Sequence, residues 1–275
     1  MTVSIDLNAD LGEGMGSDED LLQIVSSASI ACGGHAGDAA TIRHILKVCK
    51  ARGVRAGAHP GYADRPRFGR FRLDLPFEHL LGQIREQMFL IRHIASEVDV
   101  PLGYVKLHGA LANQTAEDRA FALNVFAAIQ AMDAGMAVLA LDNSEQVQAA
   151  AALGMPLIRE AYADRAYTSA GLLVPRSQEG AVIHDVEAVI ARCLRLALQG
   201  EIEAIDGSVL KSGARSICLH ADTPGAVDLA REVREALEGE GISIAPAAPE
   251  TDVPWILQGG EGEIGIMPLN PKDPG

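Results

Sequence analysis

Short apolar runs recur along the chain, each ending in a polar cluster and followed by a segment of helical periodicity. The runs cover Val3 to Leu7, Ala28 to Cys32, Val54 to Ala58, Tyr104 to Leu107, Ala137 to Leu141, Pro156 to Glu160 and Arg215 to His220. Continuous apolar stretches of this length read as strands buried on both faces of a parallel sheet. Between them, apolar residues fall three and four apart. From Ala39 to Arg52, Ile42, Ile45, Leu46 and Cys49 form one stripe, with Asp38 in position to cap. Phe77 to Val98 predicts a longer amphipathic helix, opened by Pro76 with Glu78 in its first turn. Further helices are predicted over Glu117 to Met132, Ser144 to Leu153, Asp185 to Gln199 and Pro224 to Glu238.

Strands alternating with helices throughout predict an α/β fold with a parallel sheet. About seven strands, with polar residues at nearly every strand end, favour an irregular, seven-stranded parallel (β/α) barrel over an open sheet, which concentrates its site at one switch point. No linker interrupts the pattern, so residues 1–244 read as one barrel domain. Residues 245–275 are rich in Pro and Gly, lack periodicity, and read as a tail, wrapped or mobile.

A net charge of −14 makes a nucleic-acid partner unfavourable. No apolar stretch reaches the roughly 18 uninterrupted residues of a membrane-spanning helix. Cys32, Cys49, Cys193 and Cys218 form no CxxC pair and lie in apolar runs, which suits buried reduced thiols and a cytoplasmic protein.

In a (β/α) barrel the strand ends that precede helices share one face, so Asp10, His35, His59, Lys106, His108 and His220 are expected to meet in one pocket. Asp6, Asn8 and Asp10 alternate on one face of the first strand, with Glu13 just beyond. Polar residues on a buried strand face cost several kcal/mol unless bonded or used. His35 follows two glycines, and His59 is followed by Pro60 and Gly61. Glycine beside a strand-end histidine permits a sharp turn or a close ligand. Lys106 shares a face with His108 and needs either Asp10 or Glu13 as partner, or an anionic ligand. The loop from Tyr62 to Arg72 carries Arg65, Arg67, Arg70 and Arg72 and suits capture of a carboxylate or phosphate. Tyr162 to Arg165 and the pair His220 and Asp222 extend the set, whereas His44, His79, His93 and His184 read as surface or packing residues.

An aspartate with histidines from separate strand ends also suits a divalent metal, with Asp10, His59 and His108 as candidate ligands. No HxxxH or HExxH supports it locally. The sequence contains no GxxxxGK[ST] or GxSxG motif, and no GxGxxG follows the first strand to cradle a phosphate.

The blocks DLNADLGEGMG, VSSASIACGGHAGD, GAHPGYADRPRFGR, YVKLHGALAN, EAYADRAY and SICLHAD, in this order from about Ser4 to Ile244, resemble the LamB/YcsF family of 5-oxoprolinase subunits. The resemblance implies a barrel of the glycoside hydrolase/deacetylase type. It also implies ATP-dependent opening of 5-oxo-L-proline to L-glutamate, in a complex with subunits B and C. ATP use is implied by the resemblance alone. On this reading Asp10, Glu13, His59 and His108 are the catalytic candidates, and Asn8, His35, Lys106, Asn113, Arg65 and Arg70 the substrate-binding ones. Where the family usually reads KPHGALYN, this chain carries Leu107 and Ala112. The stretch around Pro66 and Arg67 also departs from a more glycine-rich family pattern. The alternatives are a metal-dependent deacetylase or amidohydrolase without ATP, and a non-catalytic substrate-binding subunit.

Overall fold

The computed structural model describes residues 3–220 and 225–251. Strands β1 (Ser4–Leu11), β2 (Ser27–Ala31), β3 (Arg55–His59), β4 (Leu102–Val105), β5 (Ala137–Leu141) and β6 (Leu157–Tyr162) run parallel, each beside the next. After an antiparallel hairpin of β7 (Glu201–Glu203) and β8 (Val209–Lys211), β9 (Ser216–Leu219) pairs with both β6 and β1. That double pairing closes a seven-stranded parallel barrel, as the alternation of patterns predicts. A two-residue strand, β10 (Ser243–Ile244), adds to the outer start of β1.

Helices α1 (Asp18–Leu21), α2 (Ala39–Arg52), α3 (Phe77–Glu97), α4 (Gly109–Glu117), α5 (Arg119–Met132), α6 (Glu145–Ala152), α7 (Val186–Gln199) and α8 (Ala226–Gly239) fill the connections. Asp38 caps α2 by accepting from the Thr41 amide at 2.8 Å. The helix expected from Glu117 to Met132 is present as α5, and a separate helix, α4, precedes it. Asp118 takes an extended conformation between them and caps α5 through the Phe121 amide at 3.0 Å. Among the described residues no helix is long and apolar enough to cross a membrane.

Alternation on β1 sorts its side chains between two environments. Ile5, Leu7, Ala9 and Leu11 face outward into the main apolar core beneath the helices. Asp6, Asn8 and Asp10 face into the barrel and are buried there. Asp6 accepts hydroxyl hydrogen bonds from Ser26 at 2.6 Å, Ser27 at 2.8 Å and Ser216 at 2.6 Å. Burial nevertheless pushes its carboxyl above the usual range. Apolar filling of the interior comes from Tyr104, Ala137, Leu139 and Ile158.

Gly57 makes room for this filling, since a Cβ there would lie 2.3 Å from the Tyr104 ring. Tyr104 is itself held by Ser29, with the two hydroxyls 3.0 Å apart. Gly57→Ala is therefore expected to cost about 1–3 kcal/mol of unfolding free energy by overpacking, measured by urea denaturation.

The tail expected from residue 245 begins against the barrel's strand-start end. The Ala245 amide donates to Ile5 at 3.0 Å, Arg55 donates to the Ala247 carbonyl, and Glu250 bridges to Leu157. Residues 252–275 lie outside the described residues. The four cysteines are buried free thiols, and burial pushes Cys32, Cys49 and Cys193 up to about 12.

Candidate active site

The strand ends open into a cavity of about 510 Å³. Asp10 and Glu13 reach it from β1 and the turn after it, His59 from β3, and His108 from the turn after β4. Tyr162 reaches it from β6 and His220 from just past β9. Asn113 of α4 and Arg70, Arg165, Arg176 and Ser177 from loops complete the polar lining.

Beneath the floor lies a buried charge network. The Lys106 ammonium is 2.9 Å from Asp10 Oδ1 and 2.8 Å from Glu160 Oε1. It also donates to Asn8 Oδ1 at 3.2 Å and Cys218 Sγ at 3.0 Å. Asn8 turns its amide to Glu160 at 2.8 Å and Ser216 at 2.9 Å. Burial alone would raise the Asp10 carboxyl, but His59 and Lys106 outweigh it and hold it well below the usual carboxylate range. For Glu160 burial prevails over the lysine, and its carboxyl is raised. Burial works against the Lys106 charge, yet Asp10 foremost, with Cys218 and Glu160, keeps the ammonium form strongly favoured.

Above this network sit three histidines and Glu13. His59 donates from Nδ1 to the Lys106 carbonyl at 2.9 Å, and His108 donates from Nε2 to the Phe68 carbonyl at 2.9 Å. Phe68 adopts a left-handed φ of 56°, uncommon for a bulky residue, at the point where its carbonyl meets His108. These two bonds fix the ring protons on the outer nitrogens. The inner pair, His59 Nε2 and His108 Nδ1, then face each other at 3.0 Å. Glu13 Oε1 lies 3.3 Å from His108 Nδ1 and 3.8 Å from His59 Nε2.

His35 stacks on His108 with ring centroids 3.5 Å apart, and its Nε2 is 3.0 Å from Glu13 Oε1. Burial pushes His35 down to about 3, so it is neutral and donates to Glu13. Gly61 passes against both rings. A Cβ there would lie 3.0 Å from His108 Cβ and 3.3 Å from His35 Nδ1. Gln87 of α3 clamps this glycine, accepting from its amide at 3.1 Å and donating to its carbonyl at 2.7 Å.

On another part of the wall His220 Nδ1 meets Asp164 Oδ1 at 2.6 Å, and Tyr162 stacks on the His220 ring. Arg165 is buried and donates to the carbonyls of Val174 at 2.6 Å and Ala181 at 3.2 Å, tying down the loop that carries Arg176.

Residues 5–252 match the sequence profile of the LamB/YcsF family. The chain belongs to the LamB/YcsF family. Among its relatives in that family, the 5-oxoprolinase A-subunit protein of Paracidovorax citrulli is 47% identical over 249 residues, covering 89% of this chain and 99% of the relative. The corresponding protein of Streptomyces coelicolor is 44% identical over 249 residues, covering 89% of this chain and 100% of the relative. A lactam utilization protein from Thermus thermophilus superposes with a TM-score of 0.81 at 36% identity, covering 88% of this chain and 99% of that one.

Within this family frame, Asp10, Glu13, His59, His108, Asn113 and Arg70 line the cavity, whereas four other candidates do not. Asn8 and Lys106 lie below the floor, where their polar atoms are taken up by Glu160, Asp10, Cys218 and Ser216. His35 stands behind His108 and Glu13. Arg65 donates to the carbonyls of Gly33 and Gly37 and so braces the His35 loop. Of the other loop arginines, Arg67 pairs with Asp64 at 2.8 Å and Arg72 with Glu117. Leu107 and Ala112 both line the cavity. Asp222, expected beside His220, lies outside the described residues, and Asp164 is the observed partner. Arg176 and Ser177 line the cavity without a signal in the sequence, because neither belongs to a strand end.

Proposed function

We propose that this cavity opens the lactam ring of 5-oxo-L-proline to give L-glutamate, coupled to ATP hydrolysis, with the chain working in a complex beside subunits B and C. The observation that carries the proposal is Asp10. One carboxylate oxygen is pinned by the Lys106 ammonium at 2.9 Å, and the other lies 3.5 Å from His59 Nε2 at the cavity floor. A carboxylate held ionised beside a histidine pair is suited to take a proton from water as its oxygen attacks a carbonyl carbon. Glu13 is the other carboxylate within reach of the pair. His59 and His108, with a positive charge held between their inner nitrogens, face the negative charge that develops at the reacting carbon. The ring C–N bond then breaks, and the proton taken from water passes to the departing nitrogen, leaving the amino group and the new acyl group of glutamate.

Arg70, with Arg165 and Arg176, supplies the positive charge that a substrate carboxylate or a phosphoryl group needs. An unstrained amide requires activation, and ATP supplies it by phosphorylating the lactam oxygen before water adds, so that C–N cleavage gives the acyl phosphate of glutamate, which a second water hydrolyses to the carboxylate and inorganic phosphate. The names of the relatives, which describe one subunit of a 5-oxoprolinase and a lactam utilization protein, support the substrate and the existence of partner subunits. An ATP-coupled activity also suits the cytoplasm, where the four buried thiols stay reduced.

The test is glutamate formation from 5-oxoproline and ATP by the purified chain, alone and with candidate subunits B and C. Glutamate that requires both ATP and this chain is the expected result. No glutamate in any combination overturns the reading and favours an amidohydrolase that works without ATP.

A further inference from the structure

The inner faces of His59 and His108 present an unsolved problem of charge. Both outer ring nitrogens are committed as donors to backbone carbonyls, so in neutral rings the inner nitrogens meet lone pair to lone pair at 3.0 Å. Glu13 Oε1 adds a third acceptor at 3.3 and 3.8 Å. Three acceptors converging in a buried corner require a positive charge among them.

We propose that Glu13, His59 and His108 hold a divalent transition-metal ion such as Zn²⁺, open on one side to the cavity, with His35 as the residue that positions Glu13.

Donor geometry favours an ion over a shared proton. Tetrahedral bonds of about 2.0–2.1 Å set the donors about 3.3 Å apart, and the observed separations of 3.0, 3.3 and 3.8 Å bracket that value. The carbonyls of Lys106 and Phe68 provide the outer hydrogen bonds that orient metal-bound imidazoles. His35 does not join as a fourth ligand. Its ring lies within 3° of parallel to His108 with centroids 3.5 Å apart, and a ring nitrogen's lone pair lies in its own ring plane. An ion in the plane of His108 is therefore well outside that of His35. Instead, His35 Nε2 bonds Glu13 Oε1 at 3.0 Å and fixes the carboxylate. Glu13, His59 and His108 all line the cavity, so the remaining coordination position faces the substrate. There a Lewis acid would polarise the lactam oxygen. This last step rests on the proposed lactam opening, whereas binding of the ion does not.

The test uses the full-length chain, stripped by chelator and titrated with Zn²⁺ against a chromophoric competitor and with Co²⁺ followed by visible absorption. One ion per chain is expected, with the intense absorption of four-coordinate Co²⁺. Glu13→Gln and His108→Ala are expected to weaken binding by more than about 100-fold. His35→Ala is expected to weaken it by about 10- to 100-fold while the stoichiometry stays at one. Circular dichroism of the metal-free variants checks folding, and Glu13→Gln is isosteric should the histidine variant unfold. Absence of saturable binding by the wild-type chain, or wild-type affinity in folded Glu13→Gln, overturns the proposal and leaves a shared proton between the two rings. A metal-free chain that still supports glutamate formation overturns the ion's role in polarising the lactam alone. A metal-loaded chain in a complex that makes no glutamate overturns the lactam reading alone.

Discussion

Asp10→Asn is expected to lower kcat for glutamate formation by about 100- to 10,000-fold, the range for loss of a general base. The substitution preserves side-chain size and keeps an oxygen for Lys106. The lysine also retains Glu160 at 2.8 Å, so no buried charge is left alone. Folding should survive, and KM for 5-oxoproline should move far less than kcat, because the lost interaction forms as the water is deprotonated. Steady-state kinetics on the reconstituted complex, with circular dichroism of the variant, checks this. A loss below about tenfold would remove Asp10 from the role of base.

The second large effect is on stability. Lys106→Met is expected to cost about 3–5 kcal/mol, because removing one partner of a buried ion pair strands the other. Here two carboxylates, Asp10 and Glu160, lose the same ammonium, and Asn8 and Cys218 lose a donor. Methionine restores the volume, so the loss reports charge rather than a cavity. Neutralising one of the stranded groups in Lys106→Met/Glu160→Gln should recover part of it. Urea denaturation of both variants measures the difference. A single-variant loss below about 1 kcal/mol would mean that Asp10 and Glu160 find water in place of the lysine.

The strands are legible because parallel barrels bury them on both faces, and Ala137–Leu141 appears with the expected limits. The first strand runs on to Leu11, past the expected end at Leu7, because its polar positions point into the barrel and are bonded across it. Helix α4 leaves no separate signal, because its nine residues follow His108 directly and Asp118 interrupts the pattern. The sequence demands a partner for Lys106, and Asp10 is one. Glu160, the other, is not readable in advance, because only closure of the barrel brings β6 beside the lysine. His35 reads like His59 in sequence, each beside glycines at a strand end. Their roles diverge through the stacking that sets His35 behind His108. Arg176 and Ser177 carry no signal, since their approach to the cavity depends on how Arg165 ties down an irregular loop.

The polar interior of the barrel carries a consequence for how this protein can change. A one-residue slip of β1 would turn Leu7 and Ala9 inward and drive Asp6, Asn8 and Asp10 against the helices. The ladder from Asp6 through Asn8 to Asp10 thus keys the strand in place and also builds the floor of the cavity. In many enzymes the scaffold and the reactive groups vary independently. Here a lineage that altered the floor would unkey the barrel, so divergence in ligand preference should be confined to wall positions such as Leu107 and Ala112.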